Sequence, residues 1–198
     1  MLRPLPAALR ALPLLAFLAV ATPAAAAAPR SVHDFRVADI DGAPVSLSAY
    51  RGKALLIVNT ASRCGYTPQY RSLEELYKKY RARGFEVLAF PANDFMNQEP
   101  GSNQEIRQFC TKKYGTTFPL FAKLSVRGKD IAPLYRYLTK ESGFPGDIEW
   151  NFTKFLVAPD GRVAARYGPA TDPLAPKVTA KLEAILPRAA PGSPAPAR

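Results

Sequence analysis

Histidine is nearly missing from this sequence. A single one, His33, occurs in 198 residues, beside two cysteines, one tryptophan and two methionines. One imidazole has no second to join it in the usual histidine-containing zinc sites, so no metal centre is expected. The same scarcity argues against a cysteine hydrolase, whose nucleophile asks for a histidine base close by. His33 itself reads as a surface or strand residue near the start of the mature chain. The two cysteines, Cys64 and Cys110, stand far apart, and C-x-x-C does not occur: Cys64 is followed by Gly65, Tyr66 and Thr67. The adjacent partner of an ordinary disulfide reductase or isomerase is therefore absent. There is no internal repeat, no flavin, haem or nucleotide motif, and no interleaving of basic with aromatic residues that would suggest nucleic acid. With no cofactor indicated, any redox chemistry falls to sulfur itself.

The two ends do not read as part of a fold. Arg3 and Arg10 with no acidic residue, the apolar run Ala11 to Val20 and the small residues Ala24 to Ala28 make a secretory signal peptide over residues 1–28, too short to span a membrane comfortably. Cleavage is expected near Ala26 to Ala28, placing the protein in the periplasm or outside the cell. Residues 187–198, rich in proline and alanine, carry no apolar periodicity and read as a disordered tail. Residues 29–186 have the length of one domain, enough to bury a core without disulfide staples.

The net charge is +11. Lys78, Lys79, Arg81 and Arg83 gather at one helix end, where cations suit the dipole. The surface reads mainly as solvated and basic, with an anionic partner, such as lipid headgroups or an acidic reductant protein, as the alternative.

Along the chain, Ser31 to Val37 and Pro44 to Leu47 flank Asp41-Gly42 and predict a hairpin. Ala54 to Val58 is an apolar run, expected to lie in a strand over residues 54–60 buried on both faces. Thr67-Pro68 reads as an N-cap with proline at the first helical position, opening a helix to about Arg83 with Tyr70, Leu73, Leu76, Tyr77 and Tyr80 inward. Gly84 suits its C-terminal end, and Phe85 to Phe90 is a second apolar strand, completing a βαβ unit. A polar loop covers 91–101. Ser102 or Asn103 caps a helix to about Tyr114 with Ile106, Phe109 and Cys110 on one face. Asp130 is expected to cap another, with Ile131, Leu134, Tyr135 and Leu138 inward. Trp150 to Ala158 and Arg162 to Tyr167 form a hairpin about Pro159-Asp160-Gly161. Asp172-Pro173 is expected to start a last helix with Leu174, Val178, Leu182 and Ile185 inward. This order fits an α/β fold, a thioredoxin-like three-layer α/β/α sandwich with a mixed central sheet.

Cys64 thus sits between a buried strand and a helix N-terminus, where unsatisfied amides and the macrodipole favour an anion. Thiols placed so tend to ionise readily. The stretch around it is built to present a reactive thiolate. Attack on a peroxide would need that thiolate, hydrogen bonds to the peroxide oxygens, and a way to recycle the sulfenic acid. Amide and indole N–H groups can supply such bonds without a histidine.

At this point the sequence resembles the glutathione peroxidases, in their non-selenium, cysteine-using branch. The likeness rests on Leu55 to Tyr70, with Asn59-Thr60-Ala61-Ser62-Arg63-Cys64-Gly65 at its centre. It rests also on Gly84 to Gly101, with Phe95-Met96-Asn97-Gln98-Glu99-Pro100-Gly101, and on Trp150-Asn151-Phe152-Thr153-Lys154-Phe155-Leu156-Val157. It extends from about Ser31 to Leu186. The resemblance implies Cys64 as the residue oxidised by peroxide, with Gln98, Trp150 and Asn151 completing a catalytic tetrad. Taken singly, Trp150 would be core, Gln98 a loop residue and Asn151 a turn residue. Asp94 departs from the family, which usually has glutamine there. The context of Cys110 resembles members in which a second cysteine resolves the sulfenic acid and a thioredoxin-like protein recycles the disulfide. The bland alternative is a buried apolar cysteine. The short segment Glu141 to Glu149 resembles monomeric members, open to lipid hydroperoxides as well as hydrogen peroxide, with glutathione as the other possible reductant. A peroxide sensor or relay, and a non-enzymatic exported domain with a structural disulfide, are the competing readings.

Overall fold

The computed structural model describes residues 31–187, together with Met1. The expected signal peptide and nearly all of the expected tail lie outside the described residues. No helix among the described residues is long and apolar enough to cross a membrane.

The chain opens with a correction. Ser31 does not begin a strand. It caps a short 3-10 helix, Val32–Asp34, in a reciprocal box with Asp34, because serine and aspartate at that spacing satisfy each other's free amides. Strand β1 is only Arg36–Ala38, and it pairs antiparallel with β2, Pro44–Ser46, as the Asp41-Gly42 turn requires. His33 is also not at the surface: it is 2% exposed. Burial lowers its imidazole below the usual histidine range, and Arg51 adds to this.

Strand β3, Ala54–Thr60, is buried at every position. Helix α1, Gln69–Tyr80, follows the Cys64 loop and runs into a 3-10 turn ending at Gly84, which is left-handed. Strand β4, Phe85–Pro91, then pairs parallel with β3. Helix α2, Asn103–Phe109, is capped by Ser102 and Glu105 and continues as a π-helical turn, Cys110–Tyr114. The helical stretch reaches Tyr114 as expected, but its last turn is wound more loosely than an α-helix.

Helix α3, Pro133–Lys140, starts later than expected. Asp130 does not cap it, since Pro133 takes the first helical turn behind Ala132, where its missing N–H is harmless. Strand β5, Lys154–Val157, is shorter than the predicted Trp150–Ala158, because residues 150–152 form a turn. It pairs with β3 and with β6, Val163–Tyr167, both antiparallel. Helix α4, Pro176–Ile185, also starts later than its predicted Asp172-Pro173. There the Asp172 carboxylate instead accepts the Leu174 N–H and the Ser72 hydroxyl, and the second proline, Pro176, opens the helix.

The sheet order β4-β3-β5-β6 is mixed, which matches the expected fold class. Strand alternation sends Leu56, Val58, Val87, Ala89 and Leu156 to one face, under Leu73 and Leu76 of α1, Ile106 of α2 and Leu182 of α4. It sends Leu55, Ile57, Leu88, Phe90 and Phe155 to the other, under Leu134 and Leu138 of α3 and Val32 of the N-terminal turn. Three layers result, and β3 is the inner strand that both the parallel and the antiparallel pairings share.

The β5–β6 turn closes against the N-terminal turn, with the Val32 N–H donating to the Gly161 carbonyl. Gly161 has φ +86°, and a Cβ there would lie 2.6 Å from His33 Nδ1 and 2.9 Å from Ser31 Cβ. Gly42 has the similar φ of +89° but faces open space. Gly42→Ala is therefore expected to cost about 1 kcal/mol from backbone strain alone. Gly161→Ala should cost roughly 3 kcal/mol by adding a steric clash, as measured by urea unfolding.

Candidate active site

Cys64 lies on the loop between β3 and α1, and it is only 8% exposed. Thr67 does not cap α1 as expected. Its hydroxyl accepts the Cys64 N–H at 3.0 Å and donates to the Ala61 carbonyl at 2.9 Å, so it staples the loop shut around the sulfur. The chain then enters α1 through tight turns, Pro68 leading the helix without a side-chain cap. The Tyr66 N–H donates to Cys64 Sγ at 3.4 Å. Both cysteines are free thiols.

Gln98 is brought to this loop by the backbone: the Arg63 N–H donates to the Gln98 carbonyl at 3.0 Å. The side chain of Gln98 meets Asn151, whose Nδ2 donates to Gln98 Oε1 at 3.0 Å. That bond occupies the oxygen of Gln98 and leaves its NH2 free to donate elsewhere. Trp150 and Tyr66 share the wall of one open groove of about 450 Å3, with Glu149, Pro169 and Ala170. The structure therefore joins the Cys64 loop to Gln98 through the Arg63 backbone, Gln98 to Asn151 through side chains, and Trp150 to the Cys64 loop across a groove. Among the described residues no group of three or more His, Cys, Asp or Glu is placed to hold a metal ion.

The holding residues were not singled out by sequence. Asn59, fully buried near the end of β3, donates through Nδ2 to the Trp150 carbonyl at 3.2 Å and accepts the Thr153 N–H at 3.1 Å. Phe152, between them, is forced to φ +66°. An asparagine following five buried apolar residues is the signal that could have found it, because a buried amide must be partnered. Glu99, also fully buried, accepts the Ser62 hydroxyl at 2.6 Å. Burial raises its carboxyl above the usual range, and the Ser62 bond opposes this. Met96 and Asn97, just before Gln98, are both left-handed, and the loop is anchored by Asn93, which accepts the Glu99 N–H at 2.8 Å. Asp94, whose effect was unpredicted, binds the Ser125 hydroxyl at 2.6 Å and the Val126 N–H at 3.0 Å. It moors the Gln98 loop to the segment that follows.

Cys110 begins the π-helical turn and is fully buried beside Tyr70 and Phe118 in the core on the α1 side. Burial pushes its thiol up to about 11. A cleft of about 230 Å3, lined by Ser62, Arg63, Glu99, Glu105, Ile106 and Phe109, lies between the Cys64 loop and α2.

Lys154 is a second buried polar group set in an apolar strand, 1% exposed. Its ammonium donates to the carbonyls of Pro169 and Thr171 at 3.1 and 2.6 Å, and Gln69 Nε2 also reaches the Pro169 carbonyl at 2.8 Å. These bonds strap down the far wall of the Trp150 groove. Burial pushes the ammonium down from 10.5 to about 7, with Asp172 opposing. Between these two values the unfolded chain holds more protons than the folded one, so stability rises with pH. From pH 7 to 9 the wild type is expected to gain up to about 2 kcal/mol relative to Lys154→Met, a difference that chemical unfolding at each pH would read.

Comparison with known proteins identifies the family. The glutathione peroxidase family model matches residues 32–139. The chain is 49% identical to a glutathione peroxidase homolog of Halalkalibacterium halodurans, over 79% of this chain and 99% of that one. It is 49% identical to a glutathione peroxidase of Lactococcus lactis, over 71% and 91%. It is 47% identical to a hydroperoxy fatty acid reductase of Synechocystis, over 81% and 99%. Among solved structures, Trgpx in its apo form superposes with a TM-score of 0.63 at 36% identity, covering 79% of this chain and 97% of that one. A thioredoxin family thiol:disulfide interchange protein of Chlorobium tepidum superposes with a TM-score of 0.58 at 18% identity, covering 81% and 99%, a likeness of fold alone. With a family model over more than half its length and close relatives along nearly all of its folded part, this chain belongs to the glutathione peroxidase family and is a peroxidase.

Proposed function

We propose that Cys64 is the sulfur oxidised by peroxide, with Gln98, Trp150 and Asn151 as the surrounding donors. The observation that carries this is the hydrogen bond from Asn151 to Gln98, beside a loop whose backbone is bonded to Gln98 and whose sulfur already accepts the Tyr66 N–H. The Cys64 thiolate attacks one peroxide oxygen and the O–O bond breaks. The sulfur becomes a sulfenic acid, and the departing alkoxide or hydroxide takes a proton to leave as alcohol or water. Hydrogen peroxide and organic hydroperoxides are the substrates of this reading, and the likeness to a hydroperoxy fatty acid reductase supports the second class.

Cys110 then resolves the intermediate. Its thiol loses a proton, its sulfur displaces hydroxide from the sulfenic acid, and a disulfide and water result. A thioredoxin-like dithiol, or glutathione, returns both sulfurs to thiols. A disulfide allows at most about 7 Å between Cα atoms, and Cys110 starts fully buried. The loosely wound Cys110–Tyr114 turn and the cleft beside α2 are where the chain can open, as π-turns interrupt the regular α-helical bonding ladder. The enzyme works as an exported monomer after signal cleavage, and its basic surface allows peripheral contact with anionic lipid.

Mass spectrometry after one equivalent of hydrogen peroxide tests the scheme. The wild type should form a Cys64–Cys110 disulfide, Cys110→Ser should stop at the Cys64 sulfenic acid, and Cys64→Ser should not oxidise. Turnover supported by thioredoxin should fall at least ~100-fold in Cys110→Ser, since no disulfide forms for a dithiol to reduce. Undiminished turnover in that variant would remove Cys110 from the cycle. Before peroxide is added, burial should leave Cys110 unalkylated by iodoacetamide at pH 8, because the reactive form is the thiolate and this thiol holds its proton to about 11.

A further inference from the structure

The groove beside Cys64 carries a charge that the reaction does not need. Its wall is made of Tyr66, Trp150, Pro169, Ala170 and Glu149. Four of these five offer rings or apolar carbons. Glu149 is the charged residue among them, it is exposed, and it forms no ion pair or hydrogen bond among the described residues. The groove lies next to the Cys64 loop, because Tyr66, which lines it, gives its N–H to Cys64 Sγ. The Pro169 part of the lining is fixed, its carbonyl held by Lys154 and Gln69. The Lys154 ammonium lies behind that wall and is spent on two carbonyls, so it does not face the groove as a counter-charge.

We infer that this groove seats the organic part of a hydroperoxide and that Glu149 is a charge filter, favouring uncharged hydroperoxides over those with a carboxylate close to the peroxide. The inference rests on Cys64 being the peroxidatic sulfur. Aromatic and proline surfaces attract the hydrocarbon next to the O–O bond by removing it from water. A substrate carboxylate brought into the same groove meets the Glu149 carboxylate at short range, where the groove walls exclude part of the screening water. The overall positive charge of the protein draws anions from a distance, whereas Glu149 acts only on those that dock. The groove therefore disfavours, at the final step, hydroperoxides whose carboxylate lies close to the O–O bond.

The test uses three peroxides on the full-length mature enzyme: hydrogen peroxide, cumene hydroperoxide and the para-carboxylate of cumene hydroperoxide. Hydrogen peroxide has no organic part to seat and reports the sulfur chemistry alone. The wild type is expected to prefer cumene hydroperoxide over its carboxylate in kcat/KM. Glu149→Gln should raise kcat/KM for the carboxylate about three- to tenfold, the range for one partly screened like-charge contact, with the other two peroxides changing less than about twofold. Glu149→Lys should reverse the preference, and the difference between variants should shrink as salt is raised to about 0.5 M. A preference that does not move in Glu149→Gln, or three peroxides that all change together, would overturn the charge filter while leaving the peroxidase reading intact. A wild type that consumes none of the three peroxides would bring down both.

Discussion

One buried amide sets the frame for everything near the sulfur. Asn59 uses both ends of its side chain and both of its backbone groups on a single turn: Nδ2 to the Trp150 carbonyl, Oδ1 to the Thr153 N–H, its N–H to the Thr153 carbonyl, and its carbonyl to the Phe152 N–H. The turn holds Phe152 at φ +66° while the side chain is fully buried. Such a backbone state costs on the order of 1–3 kcal/mol and persists only where its surroundings over-determine it. Asn59 lies five residues before Cys64 on the same strand-to-loop path. The sulfur and the Trp150–Asn151 pair are therefore two ends of one rigid piece, although they lie far apart in sequence.

The third side of the site is held differently. Gln98 comes from a loop with two consecutive left-handed residues and no regular structure, so its position depends on moorings. Asp94 ties it to Ser125 and Val126, Asn93 accepts the Glu99 N–H, and Lys123 donates to the Glu99 and Gly101 carbonyls. The buried Glu99 carboxyl is bonded to Ser62, two residues before Cys64. A loop thus acquires the precision of a strand by fastening each turn to something rigid, the support that the proposed donor role of Gln98 would need.

Much of this was legible in advance, for physical reasons. The apolar run of β3 and the 3.6-residue pattern of α1 leave few other solutions, and the order of elements predicted a mixed sheet in three layers. The starts of helices were read less well. Asp130 and Asp172 look like caps, but Pro133 and Pro176 stand a few residues on and take the first turn themselves. Thr67 also looks like a cap, and its hydroxyl turns back to the Cys64 amide instead. His33 and the beginning of β1 were misplaced because the Ser31–Asp34 box is a local competitor to a strand. Among the candidate site residues, Cys64 is singled out by its place between strand and helix, whereas Gln98, Trp150 and Asn151 are singled out only through the family resemblance. Asn59, Glu99 and Lys154 could have been found from a simpler rule: a polar side chain within an apolar or tightly constrained run is there to hold something.

The central claim is that the Asn59 knot fixes the donors around the sulfur, and Trp150, as the sole tryptophan, offers a way to test it. Its fluorescence during rapid mixing with hydrogen peroxide, in a Cys110→Ser background, should give the rate constant for oxidation of Cys64. With Asn59→Ala, at a temperature where circular dichroism shows the protein still folded, that rate is expected to fall about 100-fold, the scale for ~1 Å misplacement of reacting groups. A folded Asn59→Ala protein whose sulfur oxidises as fast as the parent would contradict the account.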